Sequence, residues 1–193
     1  MGVESHLYNT NLLPLLIHIF GRDSVYRDLD PKKLQLRTCI VDSSLLLPHE
    51  GVEKSRLELL IKVIERSGYV KHPITVDVRT FIILDGHHRF KALEELGIKY
   101  VPVFFVDYVE EYVDVKPFRK DIYVSKYSVI SKVYIEKGVY PPRTTRHIFS
   151  GILLPTSYIR LETLRELNGK SNPLLKIPSI ICPTENSTSR RTS

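Results

Sequence analysis

Residues 81–97 read FIILDGHHRFKALEELG, and this stretch decides the fold class. Its first four residues are apolar and mostly β-branched or aromatic, which predicts a buried strand that ends at Asp85 and Gly86. The next apolar residues recur at helical spacing over 90–96, and Gly97 is typical of a helix end. The pattern therefore predicts a strand, a polar junction and a helix in direct succession.

The segments on either side extend this alternation. The run at 74–78 is separated from the strand at 81–84 by two residues, which predicts a β-hairpin. Residues 101–106 are apolar throughout, so we expect a strand buried on both faces. A helix is predicted over 55–68, where Ser55 and Glu58 have the spacing of a capping box.

Weaker patterns cover the rest of the chain. They predict a strand at 35–41, a helix at 126–137, a strand or loop at 144–149, a helix at 158–167 and a short apolar helix at 12–20. Residues 107–124 follow no clear period, and we find no internal repeats. Beyond residue 170, three prolines among serines and threonines predict a poorly ordered tail.

The composition of the 193 residues limits the function classes. The 28 basic and 22 acidic residues give a net charge of +6, half of which lies in 170–193. Because no run of five basic residues occurs, the charge suits an anionic small ligand as well as nucleic acid. The apolar stretch at 12–20 is too short for a membrane span. The low content of thermolabile residues fits a hyperthermophile.

Two cysteines, Cys39 and Cys182, have neither the number of a disulfide framework nor the spacing of a metal site. From the length, the composition and the two cysteines together, we expect a soluble protein of one domain that lies inside the cell, in the cytoplasm. We predict that it binds no membrane.

The junction Asp85-Gly86-His87-His88-Arg89 has the composition of an anion site. A helix amino terminus offers free backbone amides to a phosphate, Gly86 lets a ligand approach, and the following side chains supply donors and charge. Asp85 at the strand end is suited to hold Mg²⁺ through one carboxylate oxygen. The alternative is an ordinary Asp-Gly turn before a polar helix start.

Two further motifs carry candidate chemistry. Pro48-His49-Glu50 precedes the predicted helix at 55–68, and its Glu is either a general base, a metal ligand or a surface acid. Residues 143–147 read RTTRH, with two hydroxyls, two guanidiniums and an imidazole but no acid. This composition favours recognition of a phosphate or a carboxylate, and the alternative is a solvated basic loop.

Taken together, the three motifs resemble the ParB/sulfiredoxin superfamily. Within it, the order of PHE at 48–50, DGHHR at 85–89 and TTRH at 144–147 is most similar to the free serine kinases of the archaeal SerK and bacterial SbnI types. The resemblance implies an α+β fold with a small mixed sheet and flanking helices, followed by a small C-terminal substrate-binding portion.

We expect the chain to divide into four parts, with the leader and the tail taken from the sequence pattern and the roles of the two middle parts from the resemblance. They are an N-terminal leader at 1–33, a nucleotide-binding core at 34–108, a substrate-binding portion at 109–169 and a flexible tail at 170–193.

The resemblance also implies an activity and a set of site residues. It implies a kinase that phosphorylates free L-serine to O-phospho-L-serine for cysteine biosynthesis, with Mg²⁺ and with ATP or ADP as donor. The implied catalytic residues are Glu50 as base with Asp85 and His88, and Asp85 would also be the metal ligand. Nucleotide binding is implied for Asp85, Gly86, His87, His88 and Arg89. The serine carboxylate or the phosphoryl group would be held by Thr144, Thr145, Arg146 and His147.

This chain departs from the family pattern in two respects. The segment between DGHHR and TTRH is short, and the chain has no Trp, so Tyr112, Phe118 or Tyr123 would replace an expected aromatic residue. The acceptor for the serine amine is unassigned, with Asp107 and Asp114 as candidates.

Other members of the superfamily supply the competing hypotheses. A sulfiredoxin would need a cysteine at the position of His87, which excludes that activity. A ParB-like DNA-binding nucleotide hydrolase would carry a helix-turn-helix module after the nucleotide domain, and only one helical pattern, at 158–167, directly precedes the tail. A non-catalytic nucleotide sensor is the third alternative. The kinase interpretation predicts small-molecule partners, no nucleic acid and a monomer.

Overall fold

The computed structural model describes residues 12–21, 31–119, 121–169 and 179–183. The helices are α1 Leu12–Phe20, α2 Pro31–Leu34, α3 Lys54–Ser67, α4 His87–Glu95, α5 Lys126–Tyr134 and α6 Leu161–Gly169. The strands are β1 Thr38–Asp42, β2 Leu47–Pro48, β3 Tyr69–Val70, β4 Ile74–Asp77, β5 Ile82–Asp85, β6 Tyr100–Val106, β7 Val113–Pro117, β8 Thr145–Phe149, β9 Ile159–Arg160 and β10 Ile180–Ile181.

Six strands form one mixed sheet in the order β10-β1-β6-β4-β5-β2. The pairs β4–β6 and β2–β5 are parallel, while β1–β6, β4–β5 and β1–β10 are antiparallel. The predicted hairpin is confirmed as β4 and β5. Two small two-stranded sheets, β7–β8 and β3–β9, lie outside the main one.

Both faces of the main sheet are covered, which explains why β6 is buried along its whole length. Val103 and Phe105 point to a core shared with α3, α4 and α6, whereas Phe104 and Val106 point to a core on the opposite face. The prediction of a strand buried on both sides is therefore confirmed.

The second core includes part of the predicted leader. Leu12, Leu15 and Leu16 of α1 are buried there with side chains from α5, β7 and the loops beside them. The predicted helix at 12–20 is confirmed with its bounds, and it packs on the body of the protein. The helix predicted at 126–137 ends earlier, at Tyr134. The helix predicted at 158–167 is shifted, since it begins at Leu161 after β9 and ends at Gly169.

The amino terminus of α3 differs from the prediction. The helix begins at Lys54, so Ser55 lies inside the first turn and the proposed capping box does not form. The backbone amide of Glu53 instead donates to Nε2 of His88 at 3.0 Å, which ties the start of α3 to that of α4. The predicted end at Gly68 is confirmed, with a positive φ of 70°.

The carboxyl-terminal segment corrects two further expectations. Residues 180–181 form β10 and pair with β1 at the sheet edge, so residues 179–183 are not part of a disordered tail. Cys182 forms a disulfide with Cys39, although the sequence predicted none. The reason is that one pair of cysteines 143 residues apart shows no local spacing, and only the sheet brings them together. None of the helices in the described ranges has the length and apolar character needed to cross a membrane.

Candidate functional site

The three sequence motifs meet at the β2–β5 edge of the main sheet. Because β2 and β5 are parallel, the residues that follow them, Glu50 and Gly86, emerge on the same side. The segment before β8 runs alongside, since the amide of Tyr140 donates to the carbonyl of His49 and the amide of Gly51 to that of Tyr140. These two hydrogen bonds bring Thr145 to the motif at 48–50.

The carboxylate of Glu50 organises this meeting point. Its Oε2 accepts hydrogen bonds from the amides of Thr144 and Thr145 at 3.1 and 2.7 Å and from Oγ1 of Thr145 at 2.7 Å. Its Oε1 accepts one, from the amide of Arg143 at 2.8 Å. A carboxylate has about four acceptor sites, so Oε1 keeps a lone pair for another donor. Arg143 adopts a φ of 60°, an unfavourable conformation that the contact with Glu50 helps to maintain.

The amino terminus of α4 is covered by the side chain of Arg89. Its Nη2 donates to Oδ2 of Asp85 at 2.8 Å and to the carbonyl of Pro73 at 3.2 Å. A Cβ atom at Gly86 would lie 2.8 Å from this nitrogen, and the φ of Gly86 is 96°. Glycine is therefore required here both for its backbone conformation and for the space that the guanidinium fills.

Both histidines of this motif line the cavity, but each is held by a contact within the protein. His88 accepts the Glu53 amide, as described above. His87 turns inward, where its Nε2 lies 3.1 Å from Nδ1 of His49. Burial and the neighbouring His49 and His147 lower the pKa of His87 well below its usual value. The positive charge predicted at His87 is therefore absent near neutral pH.

His49, His87 and His147 form a cluster under the site. Their rings pack edge to face, with centroids 4.5 Å apart for His49 and His87 and 5.2 Å for His49 and His147. Burial lowers the pKa of His49 to about 4 and that of His147 well below the usual range. Nε2 of His147 lies 2.8 Å from the hydroxyl of Tyr108, a fully buried side chain of the second core. The three imidazoles beneath the site are thus neutral near neutral pH.

The residues of the TTRH motif have separate environments. The hydroxyl of Thr144 donates to the carbonyl of Pro141 and its side chain is fully buried, so it contributes only its amide. Thr145 binds Glu50 and His49. Arg146 and His147 line the cavity. Thr145, Arg146 and His147 thus lie at the cavity, while the Thr144 side chain is buried behind them.

These groups border a cavity of about 1010 Å³. Five cationic side chains line it, against the two carboxylates of Glu50 and Asp85. The cationic residues are Arg56, Lys71, Arg89, Arg143 and Arg146. Toward α3 the lining becomes apolar, with Leu59, Val63 and Tyr69. A ligand with an anionic part and an apolar or aromatic part matches this division.

Several candidates named from the sequence lie elsewhere. Asp107 is almost completely buried and is paired with Arg79 at 2.7 Å, and neither it nor Asp114 lines the cavity. Of the three aromatic candidates only Phe118 lines it, and the Arg143 guanidinium lies 4.7 Å from its ring centroid. In the described ranges, no three His, Cys, Asp or Glu side chains cluster as a metal-binding group.

Sequence reasoning assigned no role to His49, Arg56 or the apolar wall. His49 directly precedes Glu50 in the motif at 48–50, which was a usable signal. Arg56 and the apolar lining residues Leu59 and Val63 had no assigned role within the predicted helix, because their approach to the junction depends on how α3 packs against α4.

Parts of the sequence match curated proteins. A stretch of 81 residues is 40% identical to an ATP-dependent L-serine kinase of Staphylothermus marinus and covers 40% of this chain and 32% of that protein. A stretch of 82 residues is 35% identical to a ParB-like protein of Sulfolobus acidocaldarius, covering 42% and 41%. An ADP-dependent L-serine kinase of Thermococcus kodakarensis is 30% identical over 93 residues, covering 46% and 37%. The matches span less than half the length of each relative. No protein-family model matches the sequence.

Over two thirds of the chain, the fold is similar to that of a solved free serine kinase. The structure of that kinase in complex with AMP superposes with a TM-score of 0.59 at 16% identity, over 67% of this chain and 94% of the other. The predicted α+β fold class is thereby confirmed, as is the resemblance to the free serine kinases that the motifs indicated.

Proposed function

We propose that this protein is a kinase that transfers the terminal phosphoryl group of a nucleotide to the hydroxyl of free L-serine. The observation that carries the proposal is the position of the Glu50 carboxylate in one basic cavity with the amino end of α4. Phosphoryl transfer needs a carboxylate near the nucleophile, and it needs fixed positive charge around the phosphates. The similarity to proteins named L-serine kinases supports the choice of acceptor.

The nucleotide phosphates are assigned to the amino end of α4. The first-turn amides of this helix have no partner within it, and Arg89 lies beside them at Gly86. The nucleobase is assigned to the apolar side of the cavity, which Leu59 and Val63 of α3 form. ATP is the proposed donor, as the name of the Staphylothermus relative suggests, with ADP as the alternative.

Asp85 is the proposed ligand of Mg²⁺. Half of its side chain is exposed at the end of β5, which suits a hard cation that keeps most of its waters and binds few protein oxygens. Mg²⁺ would neutralise charge on the phosphates of the bound nucleotide.

The acceptor serine is assigned to the side of the cavity formed by β8. Arg146 is exposed there and is the proposed partner of the serine carboxylate. The serine oxygen forms a bond to the terminal phosphorus as the bond to the leaving nucleotide oxygen breaks. The hydroxyl proton passes to the free lone pair on Oε1 of Glu50, which gives O-phospho-L-serine and a nucleotide shorter by one phosphate. We place this product at the start of cysteine biosynthesis in the cytoplasm.

The test is to incubate the protein with Mg²⁺, L-serine and either ATP or ADP, and to measure phosphoserine. The Glu50→Gln variant should lose about 10²–10⁴ in kcat, since it lacks the base, while it still binds nucleotide. The matched control is Glu58→Gln on the exposed face of α3, which should retain full activity. If the wild type forms no phosphoserine with either nucleotide, the proposal is wrong.

A second candidate is a ParB-like nucleotide-binding protein that acts on DNA. The named similarity to a ParB-like protein favours it. A band-shift assay with duplex DNA separates the two, because a kinase for free serine is expected to bind no nucleic acid. A specific DNA complex without phosphoserine formation would select this second function.

A further inference from the structure

The hydrogen bonds around Glu50 leave Nε2 of His49, a buried acceptor, without a donor. Nδ1 of His49 lies 2.6 Å from the carbonyl oxygen of Ile83 and 3.1 Å from Nε2 of His87. Because the carbonyl can only accept and is the closer partner, the imidazole proton is on Nδ1, and Nε2 of His87 is an acceptor beside it. His49 is completely buried, and its low pKa keeps the ring neutral. Its Nε2 is therefore a bare acceptor.

The hydroxyl of Thr145 stands between two groups that both need its proton. Its Oγ1 is 2.7 Å from Oε2 of Glu50 and 2.9 Å from Nε2 of His49. A hydroxyl has only one proton to donate. While Glu50 is ionised, the charged carboxylate is the stronger acceptor, and Nε2 of His49 remains unsatisfied at a free-energy cost of about 1–3 kcal/mol.

Protonation of Glu50 reverses this preference. Oε2 already accepts hydrogen bonds from two backbone amides, so the proton from the serine hydroxyl binds at Oε1. The neutral carboxyl group is a weaker acceptor than the carboxylate, and the Thr145 hydroxyl can then turn to His49. The orphaned imidazole nitrogen becomes satisfied at that moment.

We propose that the Thr145 hydroxyl is a two-position switch, which donates to Glu50 while it is ionised and to His49 once Glu50 holds the proton of the acceptor. This inference rests on the proposed function for the source of the proton. Thr145 and His49 are then positioning residues, which favour the proton-loaded form of the base. The motif at 48–50 thus places the base Glu50 next to His49, which accepts the Thr145 hydrogen bond in the loaded state.

The first test uses side-chain nitrogen NMR of His49 and needs no activity. In Glu50→Gln a neutral amide oxygen takes the place of Oε2, so this variant imitates the weaker acceptor of the loaded state, although its NH2 group cannot accept the Arg143 amide as a carboxyl hydroxyl can. We expect Nδ1 protonated and Nε2 bare in the wild type, with an upfield movement of the Nε2 signal in Glu50→Gln. The movement should disappear when Thr145→Val is added. A proton on Nε2 in the wild type, or an unmoved signal, would overturn the switch.

The second test is kinetic. Thr145→Val should lower kcat by about tenfold and leave KM for serine unchanged, because the switch acts on the proton and not on binding. Thr145→Ser should restore most of kcat, since it returns the hydroxyl. A Thr145→Val enzyme with the wild-type kcat contradicts the proposal. If the Thr145→Val variant does not fold, the movement of the Nε2 signal in Glu50→Gln tests the switch instead. If the wild type forms no phosphoserine, the proposed kinase function is wrong, and the NMR result on the switch is unaffected.

Discussion

At the scale of single residues, Gly86 is a position where any side chain would disturb the site. Gly86→Ala would force a φ of 96° on alanine and push Arg89 away from Asp85. We expect a loss of about 1–3 kcal/mol in the free energy of unfolding, together with weaker ATP binding. Denaturant unfolding and calorimetric titration with ATP measure the two effects.

Gly97 provides a matched control for this substitution. It has a φ of 70°, and no atom would lie within 4 Å of a new Cβ. Gly97→Ala should therefore carry a similar backbone cost without changing ATP affinity. Equal affinities for wild type and Gly86→Ala would show that the Arg89 cover is not part of the nucleotide site.

The same residues show what a sequence can predict about a site. Gly86 follows a strand that local periodicity reveals, so the junction at 85–89 was visible before the structure. Glu50 was singled out by the motif at 48–50 and by the resemblance, since the two-residue strand β2 before it shows no periodicity. The contact of His49 with Thr145 joins positions 96 residues apart, and no local pattern encodes it. The inward turn of His87 was missed for a related reason, since a motif gives side-chain order along the chain and not the direction in which each ring packs.

At the scale of elements, β10 and its disulfide stabilise the edge of the sheet farthest from the site. The order of strands puts β10 at one edge and β2 at the other. Cys182→Ser removes a link between residues 143 positions apart and should lower the free energy of unfolding by about 2–5 kcal/mol. Catalysis at a temperature where the variant is folded should be unaffected, because the site lies at the opposite edge.

Reduction of the wild type offers the control for this prediction. A thiol reductant should lower the unfolding midpoint of the wild type to that of Cys182→Ser and leave the variant unchanged. If reduction has no effect on the wild type, the disulfide does not stabilise the fold in solution. Strand β10 was missed in the sequence because two apolar residues among prolines form too short a run for a period-2 pattern.

At the scale of the whole molecule, the buried histidines make stability depend on pH. The pKa of His49 is about 4 in the folded protein against an ordinary value of 6.5. Between these values the unfolded chain binds a proton that the folded protein excludes, so stability falls as the pH falls. His87 and His147, whose pKa values are also lowered, act in the same direction. Asp77 opposes them, since burial raises its pKa and the folded state takes up its proton first.

The free energy of unfolding should therefore decrease by about 1.4 kcal/mol per pH unit through His49 as the pH is lowered from 6.5 toward 4, and the lowered pKa values of His87 and His147 make the slope steeper. Urea unfolding across this range measures the slope. In His49→Gln the slope should be shallower by that amount, because one of the excluded protons no longer exists. His18→Gln on α1 is the matched control, since its side chain is exposed to water in the folded protein as well, and its slope should equal that of the wild type. A His49→Gln slope equal to the wild-type slope would mean that His49 is not buried as a neutral ring, and would remove the acceptor on which the Thr145 switch depends.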